Sequence, residues 1–230
     1  IRVDVLGYGL ETGTMASLDL RLYVITDRKI SGGRSHEEIA AAAIEGGATV
    51  VQFRDKELSG RKQVETALRL RDIARASGVT FIVNDRVDVA LLSDADGVHL
   101  GQDDIPASMA RKIIGNKIIG VSASTVEEAL LAQQQGADYL GVGPVFPTGS
   151  KADAAPPIGL TGLAEIVRSV DIPVVAIGGI SQENLVDVLE TGVSGVAVIS
   201  AVVAASDITQ AAHNLRAVID AHSSYGTTHR

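Results

Sequence analysis

The segment Gln52-Phe53-Arg54-Asp55-Lys56 puts an amide, a guanidinium and an ammonium at alternate positions. In an extended chain such positions share one face, so Gln52, Arg54 and Lys56 converge if that face points inward. Two neighbouring cations suit a phosphate or diphosphate. An isolated Arg-x-Lys more often marks solvated surface charge. Asn84-Asp85 and Gly101-Gln102-Asp103-Asp104 then supply carboxylates after two short apolar runs. The chain has no cysteine and no clustered histidines, so these carboxylates would form a hard oxygen site. Mg2+ fits such a site, held by one or two carboxylates plus substrate phosphate oxygens. Either aspartate alone is more often a helix cap, and Asp104 stands just before Ile105-Pro106. His99 reads as a hydrogen-bonded core residue or as an acid–base group.

Ser122, in Gly120-Val121-Ser122, has no His/Asp arrangement to make it a nucleophile. It reads as a hydrogen-bond donor to a ligand oxygen. The stretch from Gly143 to Leu160 is the longest break in the pattern, and long loops in compact domains are often lids or binding loops. Its Thr148, Ser150 and Lys151 bring two hydroxyls and a cation. Gly178-Gly179 and Ile199-Ser200 follow two late apolar runs. Glycine there lets backbone N–H groups approach an anion.

These residues need a scaffold that brings distant segments together. Eight short apolar runs, rich in β-branched residues, recur along the chain: Leu22–Thr26, Thr49–Phe53, Val79–Val83, Gly97–Leu100, Lys117–Val121, Tyr139–Val142, Val174–Ile177 and Gly195–Ile199. They are continuous rather than alternating, as buried parallel strands are. Helix-period stretches fit the gaps at His36–Glu45, Gly60–Ser77, Val87–Leu92, Pro106–Ile114, Val126–Gln135, Gly162–Ser169, Gln182–Glu190 and Ile208–His222. Ser35 and Glu38 form a capping-box pattern, and Thr125 before Glu127-Glu128 is a similar start signal. Gly46, Gly78, Gly136 and Gly192 stand where helices should stop. Eight strand–helix units predict an α/β fold of the (β/α)8 TIM-barrel type in a single domain. A doubly wound sheet is the alternative, but no G-x-G-x-x-G follows the first strand. In a barrel the strand C-terminal ends carry function, and every residue singled out above falls at one of them. Loops seven and eight are the usual phosphate site of such barrels.

Composition agrees with this reading and excludes others. The chain of 230 residues has 28 acidic against 20 basic side chains, a net charge of −8, which argues against nucleic acid as a partner. Four Tyr, three Phe and no Trp give little stacking surface for single strands. No apolar run reaches the length of a membrane span. The absence of cysteine suits a cytoplasmic protein. Residues 1–19 read as an N-terminal extension with poor order, in which Met15 is a candidate start. Residues 20–222 read as the catalytic barrel and 223–230 as a flexible tail. No secretory signal is evident. A homo-oligomer is compatible with the sequence.

Two anion pockets and one metal suit two phosphorylated substrates joined with loss of diphosphate. The motifs Leu-Tyr-Val-Ile-Thr-Asp-Arg (22–28), Gln-Phe-Arg-Asp-Lys (52–56), Asn-Asp (84–85), Gly-Val-His-Leu-Gly-Gln-Asp-Asp (97–104), Gly-Val-Ser (120–122), Gly-Pro-Val-Phe-Pro-Thr (143–148) and Ala-Ile-Gly-Gly-Ile (176–180) resemble the thiamine-phosphate synthase family. The resemblance runs from about Leu20 to His222. It implies a transferase that joins hydroxymethylpyrimidine diphosphate to thiazole phosphate through a dissociative, Mg2+-assisted substitution. It also implies roles. Gln52 would hold the pyrimidine. Arg54, Lys56, Asn84 and Lys151, helped by Ser122, would hold diphosphate. Asp85 and Asp104 would bind Mg2+. Thr148, Ser150, Gly179, Ile199 and Ser200 would contact the thiazole phosphate. Arg54, Lys56, Lys151 and Ser122 would be the catalytic set. Asp103 stands where the family varies, and Ser150 where many relatives carry Thr. A thiazole tautomerase of the same fold would lack the metal–diphosphate set. An amino-acid-pathway isomerase would need an acid–base pair, and a precursor sensor an effector domain.

Overall fold

A computed structural model describes residues 18–150 and 156–226, with only the backbone given for 224–226. Lys151 lies outside the described residues, as do residues 1–17 of the expected extension and 227–230 of the expected tail. The strands are β1 (Leu22–Thr26), β2 (Val50–Phe53), β3 (Thr80–Asn84), β4 (Gly97–Leu100), β5 (Ile118–Ala123), β6 (Tyr139–Val142), β7 (Val174–Ile177) and β8 (Gly195–Val198). The helices are α1 (His36–Glu45), α2 (Gly60–Ala76), α3 (Val87–Leu92), α4 (Ala107–Ile114), α5 (Val126–Gln134), α6 (Gly159–Ser169), α7 (Leu185–Leu189), α8 (Ser200–Val203) and α9 (Ile208–Gly226).

Each strand pairs in parallel with the next, and β1 closes on β8 through Leu22 against Val196 and Val24 against Val198. The result is a (β/α)8 barrel. Alternation along each strand divides the core. Leu22, Val24, Val51 and Phe53 face the helix layer, whereas Tyr23, Ile25 and Val50 fill the barrel interior with Ile82, Tyr139 and Val175. The helices bury one stripe each; α2 buries Ala67, Leu70 and Ala74 at helical spacing. Among the described residues no helix is long and apolar enough to cross a membrane.

The capping signals act as expected. Ser35 accepts from the Glu38 N–H while the Glu38 carboxylate accepts from the Ser35 N–H. Thr125 caps α5, but Glu128 turns back to Ser124, accepting from its N–H and hydroxyl. Five details differ from expectation. Gly46 is a right-handed C-cap and Gly47 takes the left-handed turn at φ 99°. Gly46 stays small because α9 packs on it: a Cβ there would lie 2.6 Å from that of Ala212. Helix α7 starts at Leu185 rather than Gln182, because the Asn184 side chain accepts from Ser181 N–H and donates to Gly179 O, holding a turn. Helix α6 starts earlier, at Gly159, and α9 runs beyond His222 to Gly226. The short α8 was not expected at all.

Candidate active site

The C-terminal ends of the strands surround a cavity of about 430 Å3. Arg54, Lys56, Asn84, Asp85, Asp104, Ser122, Thr148, Ser150, Gly179, Ile199 and Ser200 all line it, as do His99 and Asp103. The alternation read from β2 explains the first two. Arg54 and Lys56 turn to the cavity, while Asp55 turns away to the buried His36, at 3.0 Å from its Nε2. Gln52 also points inward but one layer deeper. It is 2% exposed, donates to Tyr23 Oη at 2.7 Å, and does not line the cavity. The structure therefore brings the expected residues together except Gln52, which lies beneath the floor, and Lys151, which is not described.

Arg54 is held by Asp27, 3.6 Å away and just past β1. Asp27 in turn accepts from the Ile30 N–H. Sequence reasoning passed over Asp27, although it stands at a strand end within the first motif. On the neighbouring side, Asp85 adopts a left-handed backbone at φ 60°, which is rare for a residue other than glycine. Its N–H donates to His99 O at 2.8 Å. Asp104 does not cap α4, whose N-cap is Pro106; its Oδ2 accepts from Gly101 N–H instead.

Asp85 and Asp104 both line the cavity, close enough for each carboxyl to act on the other. Burial, then the neighbouring Asp104 carboxyl, pushes the Asp85 pKa up to about 6, against the pull of Lys56 and Arg54. Two carboxylates this close cannot both ionise cheaply. A divalent, oxygen-seeking cation would remove the conflict that a shared proton otherwise removes. The donor set fits Mg2+, which takes one or two carboxylates and fills its other positions with water and substrate oxygens. Among the described residues no cluster of three or more His, Asp or Glu offers a complete protein cage.

The described part of the opposite rim is built of glycine and hydroxyl residues. Gly178 and Gly179 turn after β7 with φ of 97° and 67°. A Cβ on Gly179 would lie 2.6 Å from that of Phe146, so this turn also needs its glycine for room. Next to it, α8 begins with Ser200 at the cavity wall. The first N–H groups of a helix lack internal partners, and a short extra helix after strand eight is a common phosphate cradle in barrels. Thr148 and Ser150 add hydroxyls there, and Thr148 Oγ1 accepts from the Ser150 N–H at 3.2 Å. One rim thus pairs cations with carboxylates, and the other offers glycine backbone and hydroxyls.

A family model described as thiamine monophosphate synthase matches residues 22–202, a span that contains every cavity residue just described. The chain belongs to the thiamine monophosphate synthase family. A thiamine-phosphate synthase of Chloroflexus aurantiacus is 60% identical over 202 residues, covering 88% of this chain and 94% of that protein. One of Methanocella arvoryzae is 56% identical over 199 residues, covering 86% and 94%. Among solved structures, a thiamine phosphate pyrophosphorylase of Pyrococcus furiosus superposes with a TM-score of 0.83 at 49% identity, covering 89% of this chain and 98% of that one. A 3-hexulose-6-phosphate synthase at 18% identity and TM-score 0.62 shares the fold alone. The match with members of the thiamine monophosphate synthase family spans both rims, so it covers Asp85 and Asp104 as well as the glycine turn after β7.

Proposed function

We propose that the protein is a thiamine-phosphate synthase, a transferase that joins hydroxymethylpyrimidine diphosphate to thiazole phosphate. The observation that carries this reading is the Asp85–Asp104 pair beside Arg54 and Lys56, facing a glycine and helix-start cradle across one cavity. One substrate brings a diphosphate and the other a monophosphate, and the two rims differ in the same way. The bond from the exocyclic methylene to the diphosphate oxygen breaks, and its electron pair leaves with diphosphate. The thiazole nitrogen then uses its lone pair to form the new carbon–nitrogen bond. A nitrogen with a free lone pair needs no general base.

Arg54, Lys56 and Asn84 hold the diphosphate and stabilise its developing charge, with Lys151 and Ser122 contributing further donors. Asp85 and Asp104 would hold Mg2+, which when bound neutralises part of the leaving-group charge. Thr148, Ser150, Gly179, Ile199 and Ser200 hold the thiazole phosphate, the last three through backbone. A coupling assay tests this. Both precursors are supplied with Mg2+ and then with EDTA, and thiamine phosphate and diphosphate are measured. Metal-dependent formation of both in equal amounts is the expected result. Absence of product from folded protein overturns the reading.

A further inference from the structure

The loop between β1 and α1, residues 27–34, gives the cavity no side chain, yet it reaches both rims from behind. At its start, Asp27 Oδ2 lies 3.6 Å from the Arg54 guanidinium, and the two side chains are only 16% and 12% exposed. At its end, the Arg34 guanidinium donates to three backbone carbonyls: Val203 at 3.3 Å, Ala205 at 2.9 Å and Ser206 at 3.0 Å. These carbonyls stand at the last residue of α8 and just beyond it. Ile199 and Ser200, where α8 begins, line the cavity.

Between these two contacts the loop is bonded to itself. Asp27 Oδ1 accepts from the Ile30 N–H at 2.9 Å, and the Asp27 carbonyl from the Ser31 N–H at 3.1 Å. The Arg28 carbonyl accepts from the Gly33 N–H and from the buried Ser31 hydroxyl. Ile30 packs against both the helix-side core and the barrel interior. Just past Arg34, Ser35 fastens the chain to α1 through its capping box.

Each contact has a physical task. The final carbonyls of a helix lack partners within it, and a guanidinium, with donors spread in one plane, answers several together. Helix α8 has four residues, about 6 Å of rise, so a displacement at Val203 is carried to Ser200 almost undiminished. Asp27 presents a different problem. A carboxylate beside Arg54 weakens the pull of that cation on any anion. Its benefit is aim: an arginine held in place beforehand loses less rotamer freedom when a ligand arrives.

We infer that Asp27 and Arg34 are positioning residues, and that the first loop braces both anion subsites at once. Asp27 aims Arg54 at one anion, and Arg34 seats Ile199 and Ser200 against the other. Which phosphate each rim takes rests on the proposed function.

Calorimetry on the intact protein tests the brace with two probes, inorganic diphosphate with Mg2+ and thiazole phosphate, and needs no turnover. Asp27→Asn keeps an acceptor for the Ile30 N–H and removes the charge. It should weaken diphosphate binding about tenfold and leave thiazole phosphate within about twofold. Arg34→Gln should do the converse, by similar factors. In the coupling assay the same split should appear in the two KM values. The signs discriminate. Loss of a negative charge beside Arg54 would by itself tighten diphosphate, and loss of a distant positive charge would weaken both anions alike. Tighter diphosphate binding in Asp27→Asn, equal weakening of both probes in Arg34→Gln, or no change in either variant overturns the brace. Should a neutral variant fail to fold, Asp27→Glu and Arg34→Lys, which keep the charge and alter the reach, should show the same split at smaller size, and its absence there overturns the brace too. If the unaltered protein binds both probes but makes no thiamine phosphate, the proposed function fails and the split still decides the brace. If it binds neither, both readings fall.

Discussion

Asp55 and Asp85 occupy neighbouring loops, just beyond β2 and β3, and their surroundings are opposite in kind. Asp55 has every oxygen engaged. Its Oδ2 meets His36 Nε2, and its Oδ1 accepts from the N–H groups of Glu57 and Leu58. His36 is itself completed by Thr26 Oγ1 at 2.8 Å and by the edge of the Phe53 ring. Burial would raise the Asp55 pKa, but these partners outweigh it and hold the carboxyl low. Asp85 instead faces another carboxylate, on a left-handed backbone, with its pKa pushed up to about 6. The first cluster is complete and needs nothing from outside. The second is completed only by a proton or a cation. A charge cluster in which like meets like, in a cavity, reads as a place for a ligand. One in which every atom is answered reads as a clasp for the chain, here fastening the loop that carries Arg54 and Lys56 onto α1.

The sharpest way to separate the two clusters is to neutralise each. Asp85→Asn should lower kcat by at least about 100-fold, since a group that organises transition-state charge is lost. Its thermal midpoint should hold or rise, because a like-charge contact is removed. Arg54→Ala should cost on the order of 3 kcal/mol in the same assay, roughly 150-fold. Unchanged turnover in both variants would sink the metal–diphosphate assignment. Asp55→Asn should do the reverse. Denaturant melts should reveal a loss of about 1–3 kcal/mol from the orphaned His36 hydrogen bond, with turnover per folded molecule changed far less than by Asp85→Asn. If Asp55→Asn proves neutral in stability, the clasp is no clasp.

The smallest effect concerns pH. The folded pKa of Asp85 lies above its ordinary value of 3.8. The folded state therefore binds this proton more tightly than the unfolded chain, and its stabilising contribution is present at low pH and lost as pH rises through about 6. Mg2+ should replace what the proton supplied. Differential scanning fluorimetry should record a rise of a few degrees with Mg2+ at pH 7.5 and less at pH 5. Asp104→Asn should abolish the difference, and an equal rise at both pH values in the unaltered protein would contradict a shared proton and metal site.

Much of this contrast was open to reading in the chain. Buried parallel strands are continuous apolar runs, so β1, β4, β6 and β7 were placed to the residue, and the cavity followed from their ends. The alternation in β2 sent Arg54 and Lys56 to one side and Asp55 to the other. What sequence could not reveal was depth and partnership. Gln52 shares a face with Arg54, yet it lies one layer deeper in the barrel, bonded to Tyr23 and nearly closed to solvent. His36 reads as an ordinary first-turn helix residue, and only the fold brings Asp55 to it. Helix α8 has four residues, too few for a periodic pattern to register. Tyr23, Tyr139, His99 and Ser122 are hydrogen-bonded to one another in the barrel interior but come from β1, β6, β4 and β5, so no single window of sequence contains them.

Gly120 and Gly141 set a boundary for any attempt to harden the protein. Replacing glycine by alanine is a standard route to stability, because it narrows the freedom of the unfolded chain. At these two strand positions the absent methyl is the room that Tyr139 and His99 occupy: Gly120 on β5 answers for a side chain of the adjacent β6, and Gly141 on β6 for one of β4, two strands away. A substitution there would need a matching loss of volume across the sheet. The freedom to engineer lies instead at sites such as Gly60 at the start of α2, where the nearest atom to an added methyl is the Arg86 guanidinium at 3.7 Å.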